Sequence, residues 1–226
     1  NQTIIQERLG LNQFYAKVYA FVGIGIRLSA LVSALMLTVF QAQLIYFLMH
    51  GRLWLMIATF AELGLVFVAS SMAAKNSPAA LPVFLIYSVL NGFTLSFVVA
   101  FYTPGTVLSA FVSSALLFFA MAAIGIFTKK DLSGMGRALM AALVGLIIAM
   151  IVNIFLASGF FDYMISIAMV LVFSGLIAWD NQKIRYVYEQ SRGQVATGWV
   201  ISMALSIYLD FINLFLSILR IFGRND

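Results

Sequence analysis

Apolar residues run along this chain in seven long blocks that are separated by short polar connections. Each block can cross the hydrocarbon core of a bilayer, roughly 30 Å thick, which takes about 20 apolar residues in a helix. The pattern therefore predicts an all-α polytopic membrane protein, and residues 1–226 are expected to form a single transmembrane domain. The predicted spans cover residues 18–40, 52–74, 79–101, 106–127, 137–157, 163–183 and 199–222.

The connections contain residues that interrupt helices. Segments 76–78 (Asn-Ser-Pro) and 103–105 (Thr-Pro-Gly) break apolar runs, and segment 131–136 (Asp-Leu-Ser-Gly-Met-Gly) separates the fourth and fifth spans. Segment 41–51 is too short to span and is expected at the outer interface. Residues 2–16 mix charged, amide and apolar side chains, which indicates an interfacial lead-in to the first span.

Composition narrows the class further. Hydrophobic residues make up 63% of the chain and charged residues 9%, whereas soluble domains carry about 25% charged residues. The chain has no cysteine and a single histidine, His50, so thiolate sites and histidine-based metal sites lack ligands. The net charge of +5 indicates attraction to anionic lipid. Nucleic-acid binding is not expected, because no basic stretch is interleaved with aromatic residues.

The distribution of Lys and Arg predicts the orientation. Of 13 such residues, nine lie in one set of alternate connections and three in the other, while Arg27 lies inside the first span. Because cytoplasmic loops are enriched in Lys and Arg, we expect a cytoplasmic N-terminus and an outside C-terminus.

Two aspartates at membrane depth are the leading candidates for function. Asp210 lies in the middle of the last span with no cation within nine residues on either side, and Asp180 lies near the predicted cytoplasmic end of the sixth span. A carboxylate at the bilayer centre costs about 2.5–3.5 kcal/mol and should face the bundle interior or water. The two acids can meet if the sixth helix continues past Asp180 or the seventh begins after Trp199. The alternatives are that Asp210 only fixes helix packing and that Asp180 is an interfacial carboxylate.

Glu62 in the second span and Arg27 in the first span both lie near the predicted midplane. Two interpretations stay open for them. Glu62 either lines an ion path or is neutralised by Arg27 in a buried ion pair, which is a structural arrangement.

Small and amide residues inside the spans are expected to serve packing. Small residues let helix backbones approach closely, and buried amides bond across helices. Asn91 and Asn153 are the amides, and the small residues of the first and fifth spans are Gly23, Gly25, Ser29, Ser33, Gly145 and Ala149.

Catalytic constellations are sparse. No span places a Ser or Cys beside a histidine, and there is no His-Glu-x-x-His motif. Two aspartates on neighbouring helices are the equipment of an intramembrane aspartyl protease. Asp210 follows Tyr-Leu, but Asp180 follows Ala-Trp instead of the Gly-x-Gly-Asp setting of such enzymes. The chain is therefore expected not to be an enzyme.

Four segments carry a resemblance to a known family. They are 91–96 (Asn-Gly-Phe-Thr-Leu-Ser), 126–136 (Ile-Phe-Thr-Lys-Lys-Asp-Leu-Ser-Gly-Met-Gly), 178–184 (Ala-Trp-Asp-Asn-Gln-Lys-Ile) and 204–215 (Ala-Leu-Ser-Ile-Tyr-Leu-Asp-Phe-Ile-Asn-Leu-Phe). From the second span to its end, the chain resembles the Bax inhibitor (transmembrane Bax inhibitor motif) family, in particular its bacterial branch.

This resemblance implies six helices around a central seventh and a pH-sensitive calcium leak, here in a bacterial inner membrane. By motif position, Asp180 and Asp210 are the pH-sensing and gating pair and transient calcium ligands, while Glu62 and Asp210 lie on the ion pathway. Bacterial relatives also carry an arginine near the cytoplasmic end of the second helix. Simple spacing puts Ala73 there, with Lys75 nearby, so this chain departs from the pattern.

The chemistry of paired acids agrees with that implication. Calcium takes six to eight oxygen ligands and favours carboxylates. Two neighbouring acids resist ionising together and titrate as a unit, so calcium and protons can compete for one site. No cofactor is expected beyond calcium as the transported or sensed ion. The alternative hypothesis is a non-transporting regulator of a membrane protein such as a membrane-bound protease, a partner that the resemblance also implies.

Overall fold

The computed structural model of the chain describes residues 2–225, without the side chains of 2–9, 52–56, 59–60, 62–63 and 225. All secondary structure in this part of the chain is helical. The helices are α1 (Gln2–Thr38), α2 (Gln41–His50), α3 (Arg52–Ala74), α4 (Ala80–Val99), α5 (Pro104–Phe127), α6 (Ser133–Leu156), α7 (Gly159–Gln190) and α8 (Thr197–Phe222), followed by a 3-10 turn at Gly223–Asn225.

A helix covers most of every predicted span, which confirms the all-α polytopic class. Among the described residues, six helices are long and apolar enough to cross a membrane. The second predicted span coincides with α3, whose described apolar part is Gly64–Ala74, so the count of seven stays a prediction. Helix α2 has 10 residues and is too short to cross, as predicted for segment 41–51.

The predicted breaks lie close to the observed helix ends. The Thr103 hydroxyl accepts a hydrogen bond from the Thr106 N–H at 3.2 Å, and Pro104 begins α5, an arrangement that satisfies a helix N-terminus. The break expected over 131–136 is shorter than predicted. Asp131 Oδ1 accepts the Ser133 N–H at 2.9 Å, and this bond starts α6 at Ser133, so the following Gly-Met-Gly segment is helical.

Helix α7 is longer than its predicted span of 163–183, because it runs for 32 residues from Gly159 to Gln190. Asp180 therefore lies well inside a helix that continues past it, which is one of the two conditions under which the two acids were expected to meet. The helix continues because two of the polar residues after Asp180, Gln182 and Arg185, bond to another segment of the chain.

The chain divides into two compact units. Unit 1 comprises Asn1–Phe101 and Tyr188–Tyr208, and unit 2 comprises Tyr102–Val187 and Leu209–Asp226. In unit 1, α4 packs tightly on α1 because Gly92 has no side chain: a Cβ there would lie 2.5 Å from the Ser29 carbonyl oxygen. The expectation of close packing holds for Gly25, whose Cβ would lie 2.8 Å from Phe84. It is wrong for Gly23 and Gly145, which have open space around them.

In unit 2, glycines again mark close approaches. A Cβ at Gly125 of α5 would meet the backbone of Ala178 in α7, and a Cβ at Gly136 of α6 would meet the ring of Trp179. Helix α8 is the most buried candidate span: 72% of its most apolar window is buried, against none for α6.

Candidate functional site

Asp180 and Asp210, the predicted pair, lie together in unit 2 on α7 and α8. They are almost fully buried, with exposed fractions of 4% and 7%. Asp180 and Lys183 are the charged side chains whose electric fields reach Asp210. Asp210 Oδ2 is buried without a hydrogen-bond partner. A buried carboxylate oxygen without a partner is costly, so the fold keeps Asp210 at this position at an energetic cost.

Contacts with α5 and α6 fix the position of Asp180. Gly125 touches α7 at Ala178, and Gly136 touches it at Trp179. Both contacts come directly before Asp180 in the sequence. The absence of two side chains therefore lets three helix backbones converge beside this carboxylate.

Aromatic packing fixes the position of Asp210. The next residue, Phe211, packs edge-on against Phe111 and Phe118 of α5, with ring centroids 5.8 Å and 5.5 Å apart. Phe215, one turn later, packs against Phe111 at 6.2 Å. Edge-to-face pairs of this kind are favourable beyond the area they bury. These contacts hold α8 against α5 along the helical turn that follows Asp210.

Two residues just beyond Asp180 hold the connection between α5 and α6. Gln182 accepts the Leu132 N–H at 2.8 Å and donates to the Lys130 carbonyl at 2.7 Å. Arg185 donates to the carbonyls of Ile126 and Thr128 at 2.9 Å and 3.1 Å. These bonds satisfy carbonyls at the end of α5, which a helix leaves without partners.

Sequence reasoning missed the roles of these neighbours, and of Lys183 above all. Lys183 was counted toward the orientation and lay in one of the family segments, but no partner was predicted for it. Its Nζ lies 5.1 Å from the centroid of the Trp179 ring, and its field reaches Asp210. The spacing of Lys183 from Asp180 and Trp179 could have predicted these contacts, because residues three and four apart on a helix are neighbours. Lys183 follows Asp180 by three positions and Trp179 by four.

Asp180 and Asp210, which we call the acid pair, offer oxygen ligands but too few to complete the coordination sphere of a calcium ion. Among the side chains that the structure describes, no group of three or more His, Cys, Asp or Glu residues could hold a metal ion. Since calcium takes six to eight oxygens, two carboxylates would leave most positions to water and backbone.

The other candidate residues lie in unit 1. Glu62 belongs to α3, and its side chain is outside the described residues, so its place on an ion pathway and its pairing with Arg27 stay predictions. Arg27 is exposed on α1. Ala73, at the place of the family arginine, is 3% exposed, and Lys75 is exposed directly after α3.

Unit 1 contains a neutral polar cluster, which we call the hydroxyl cluster: Ser29, Ser88, Asn91 and Tyr208. The Tyr208 hydroxyl donates to Asn91 Oδ1 at 2.9 Å and lies 2.6 Å from Ser29 Oγ. Ser29 Oγ in turn donates to the Ser88 carbonyl at 2.7 Å. The prediction that Asn91 bonds across helices is confirmed.

The same prediction is wrong for Asn153. Its Oδ1 accepts the Ser158 N–H at 3.2 Å, and Ala157, between the two, has a φ of 48°. Asn153 therefore closes the end of α6, where the backbone leaves the helix and its amide groups need local partners.

The family model described as inhibitor of apoptosis-promoting Bax1 matches residues 11–226. The chain belongs to this Bax inhibitor family. A membrane protein of Streptococcus pyogenes serotype M1 is 58% identical over 98% of this chain and 96% of its own length. YrjE of Lactococcus lactis is 47% identical over 99% and 96%. The inner membrane protein YbhL of Escherichia coli K12 is 38% identical over 99% and 97%. The Bax inhibitor chain is thus an integral membrane protein matched along nearly its whole length.

Proposed function

We propose that this Bax inhibitor family protein is a pH-sensitive calcium leak in a bacterial inner membrane, with Asp180 and Asp210 as its sensing and gating pair. The observation that carries the proposal is the buried pair itself. Two carboxylates lie within electrostatic range of each other in unit 2, and one oxygen of Asp210 has no hydrogen-bond partner.

The proposed mechanism follows from charge. Two carboxylates in a low-dielectric site repel each other when both are ionised, so a proton or a cation must accompany them. A shared proton holds α7 and α8 together at the pair. Its loss favours separation or entry of a divalent cation, and calcium then takes the proton's place. The protein thereby couples calcium passage to pH through one bistable element.

Two further features belong to this proposal. Glu62 on α3 would supply an additional carboxylate on the route, where a ring or row of acids attracts cations. The positive-inside pattern would put the N-terminus in the cytoplasm and the C-terminus outside.

Calcium entry into liposomes that contain the purified protein tests the proposal. We expect saturable, pH-dependent entry with the wild type and a large change in that entry with Asp210→Asn, which keeps the shape but removes the charge. Asp162→Asn is the matched control, because Asp162 lies in the first turn of α7, away from the pair, and its flux should equal that of the wild type.

The alternative of a non-transporting regulator makes the opposite prediction. A protein that only binds a membrane partner, such as a membrane-bound protease, needs no calcium flux and should tolerate Asp210→Asn. Absence of protein-dependent calcium entry from well-folded wild-type protein would therefore overturn the leak.

A further inference from the structure

Lys183 lies within reach of two different attractive partners. One is the acid pair, because Lys183 and Asp180 share a face of α7 and the field of the ammonium group reaches Asp210. The other is the indole of Trp179, whose centroid is 5.1 Å from Nζ. That distance is within the roughly 6 Å over which a cation is attracted to an aromatic face.

The indole ring has a fixed position. Gly136 of α6 has no side chain, and a Cβ there would collide with the Trp179 ring. The ring therefore lies directly against the backbone of α6 in a space that no other residue type would leave. The face of Trp179 is a defined resting place for an ammonium group.

Lys183 also differs from its cationic neighbour. Arg185 is held by two backbone carbonyls at 2.9 Å and 3.1 Å, so its guanidinium group has a settled role. A lysine ammonium is a compact charge on a flexible four-carbon stem. Lys183 can exchange the aromatic face for a carboxylate by rotating its own side chain, without movement of a helix.

We propose that Lys183 competes with calcium for the acid pair and that Trp179 holds its ammonium group when calcium occupies the pair. The inference rests on the proposed calcium leak and names the residue that sets its calcium affinity. A positive charge at the pair repels a divalent cation, so the partition of Lys183 between carboxylate and indole determines how much calcium the pair needs.

The first test is the calcium dependence of flux. Lys183→Gln should lower the half-saturating calcium concentration by at least about fivefold, which is the effect of one charge about 8 Å from a divalent ion even in water, because a buried pair screens that charge less. Lys183→Arg, which keeps the charge, should change it less. Lys17→Gln is the matched control, because Lys17 is exposed on α1 and belongs to unit 1, whereas the pair belongs to unit 2, and it should leave the value unchanged. An unchanged value in Lys183→Gln would overturn the inference.

A double variant separates competition from simple packing. Trp179→Leu removes the resting place and should raise the half-saturating calcium concentration. In the Lys183→Gln background the same change should have no effect, because no ammonium group is left to redistribute. An equal effect of Trp179→Leu in both backgrounds would show that the ring acts through packing alone and would contradict the inference.

Fluorescence gives a readout that does not depend on flux. With Trp54→Phe and Trp199→Phe, Trp179 is the single tryptophan of the chain. Calcium should alter its emission in this background, and Lys183→Gln should abolish that response. A response that persists without Lys183, or no response with it, would overturn the inference. If calcium flux is absent but this fluorescence response is present, the leak fails while competition at the pair stands.

Discussion

The hydroxyl cluster of unit 1 and the acid pair of unit 2 are both buried and polar, but they differ in charge and in hydrogen bonding. In the hydroxyl cluster, Ser29 and Tyr208 each lie within hydrogen-bond distance of partners on other helices, and no member is charged. In the acid pair, two carboxylates lie within electrostatic range of each other, and Asp210 Oδ2 has no hydrogen-bond partner. A satisfied neutral network holds a fold together, whereas a buried carboxylate oxygen without a partner is retained at a cost. We infer that the first is structural and the second functional.

The largest effect on stability is expected from a substitution at Gly92, where α4 packs closely on α1 beside the hydroxyl cluster. A Cβ at Gly92 would lie 2.5 Å from the Ser29 carbonyl oxygen and 2.7 Å from its Cα, so the backbones must move apart. Gly92→Ala should therefore destabilise the protein by about 1–3 kcal/mol, as overpacking does. Thermal unfolding in detergent measures this. Gly23→Ala, on a glycine with open space around it, shares the gain in helix propensity and should be at least as stable as the wild type.

The second effect tests the bonds of the cluster directly. Tyr208→Phe removes the hydroxyl between Ser29 and Asn91 and should cost about 0.6–2 kcal/mol, the range for hydrogen bonds between helices in membranes. Calcium flux per folded molecule should be unchanged. The control is Tyr186→Phe, because Tyr186 is 58% exposed and its hydroxyl should matter little. A changed pH response of calcium flux in Tyr208→Phe would contradict the inference that the hydroxyl cluster is structural and only the acid pair is functional.

A smaller effect concerns Asp131, an exposed carboxylate that belongs to neither region. Hydrogen bonds from the Ser133 side chain, and then from its backbone, lower the pKa of Asp131 below its ordinary value of 3.8. A lowered pKa in the folded state means that the carboxylate stabilises the fold above the ordinary value and that this stabilisation is lost as the pH falls through the lowered one. Asp131→Ala should lower the unfolding temperature slightly at neutral pH.

The pH dependence of that difference is the check. The gap between wild type and Asp131→Ala should narrow below about pH 3.8, where the unfolded chain takes up a proton on Asp131 before the folded protein does. Asp131→Asn retains an acceptor oxygen for the helix start and should lose less than the Ala variant. A gap that stays constant down to low pH would show that the charge of Asp131 plays no part.

The smallest effect on stability is expected from Asp210→Asn, and this substitution distinguishes the acid pair most clearly from the hydroxyl cluster. Asp210→Asn mimics the protonated acid, since the amide can still donate a hydrogen bond and adds no second like charge to a buried site, so thermal stability at pH 7 should not fall. Asp162→Asn serves as the control for the same change elsewhere on the chain. A loss as large as that of Tyr208→Phe would mean that Asp210 stabilises the fold, and the functional interpretation would be wrong.

The sequence was sufficient for the fold class because hydrophobic blocks of span length leave few alternatives. It also located the two acids, since charge at membrane depth is rare enough to be conspicuous. It did not predict the length of α7, because the polar residues after Asp180 mark the end of an apolar span without showing how far the helix continues. Gln182 and Arg185 extend the helix by binding a connection about 50 residues away in sequence.

Side-chain direction was the other information that the sequence lacked. Gly23 and Gly25 look equivalent in a run of apolar residues, but Gly25 meets Phe84 and Gly23 meets nothing. Asn91 and Asn153 look alike for the same reason, although one bonds across helices and the other closes a helix end. Lys183 was used to predict the membrane orientation, because its interactions with Trp179 and Asp210 can be recognised only when the helix faces are known.

The most direct test of the account is the pH profile of calcium entry into liposomes for the wild type, Asp180→Asn, Asp210→Asn and the double variant. If the two acids act as one element, either single substitution should abolish most of the pH response, and the double variant should add little to the worse single one. Effects that add independently, or a wild-type flux that does not change with pH, would contradict the claim that Asp180 and Asp210 form a shared sensor.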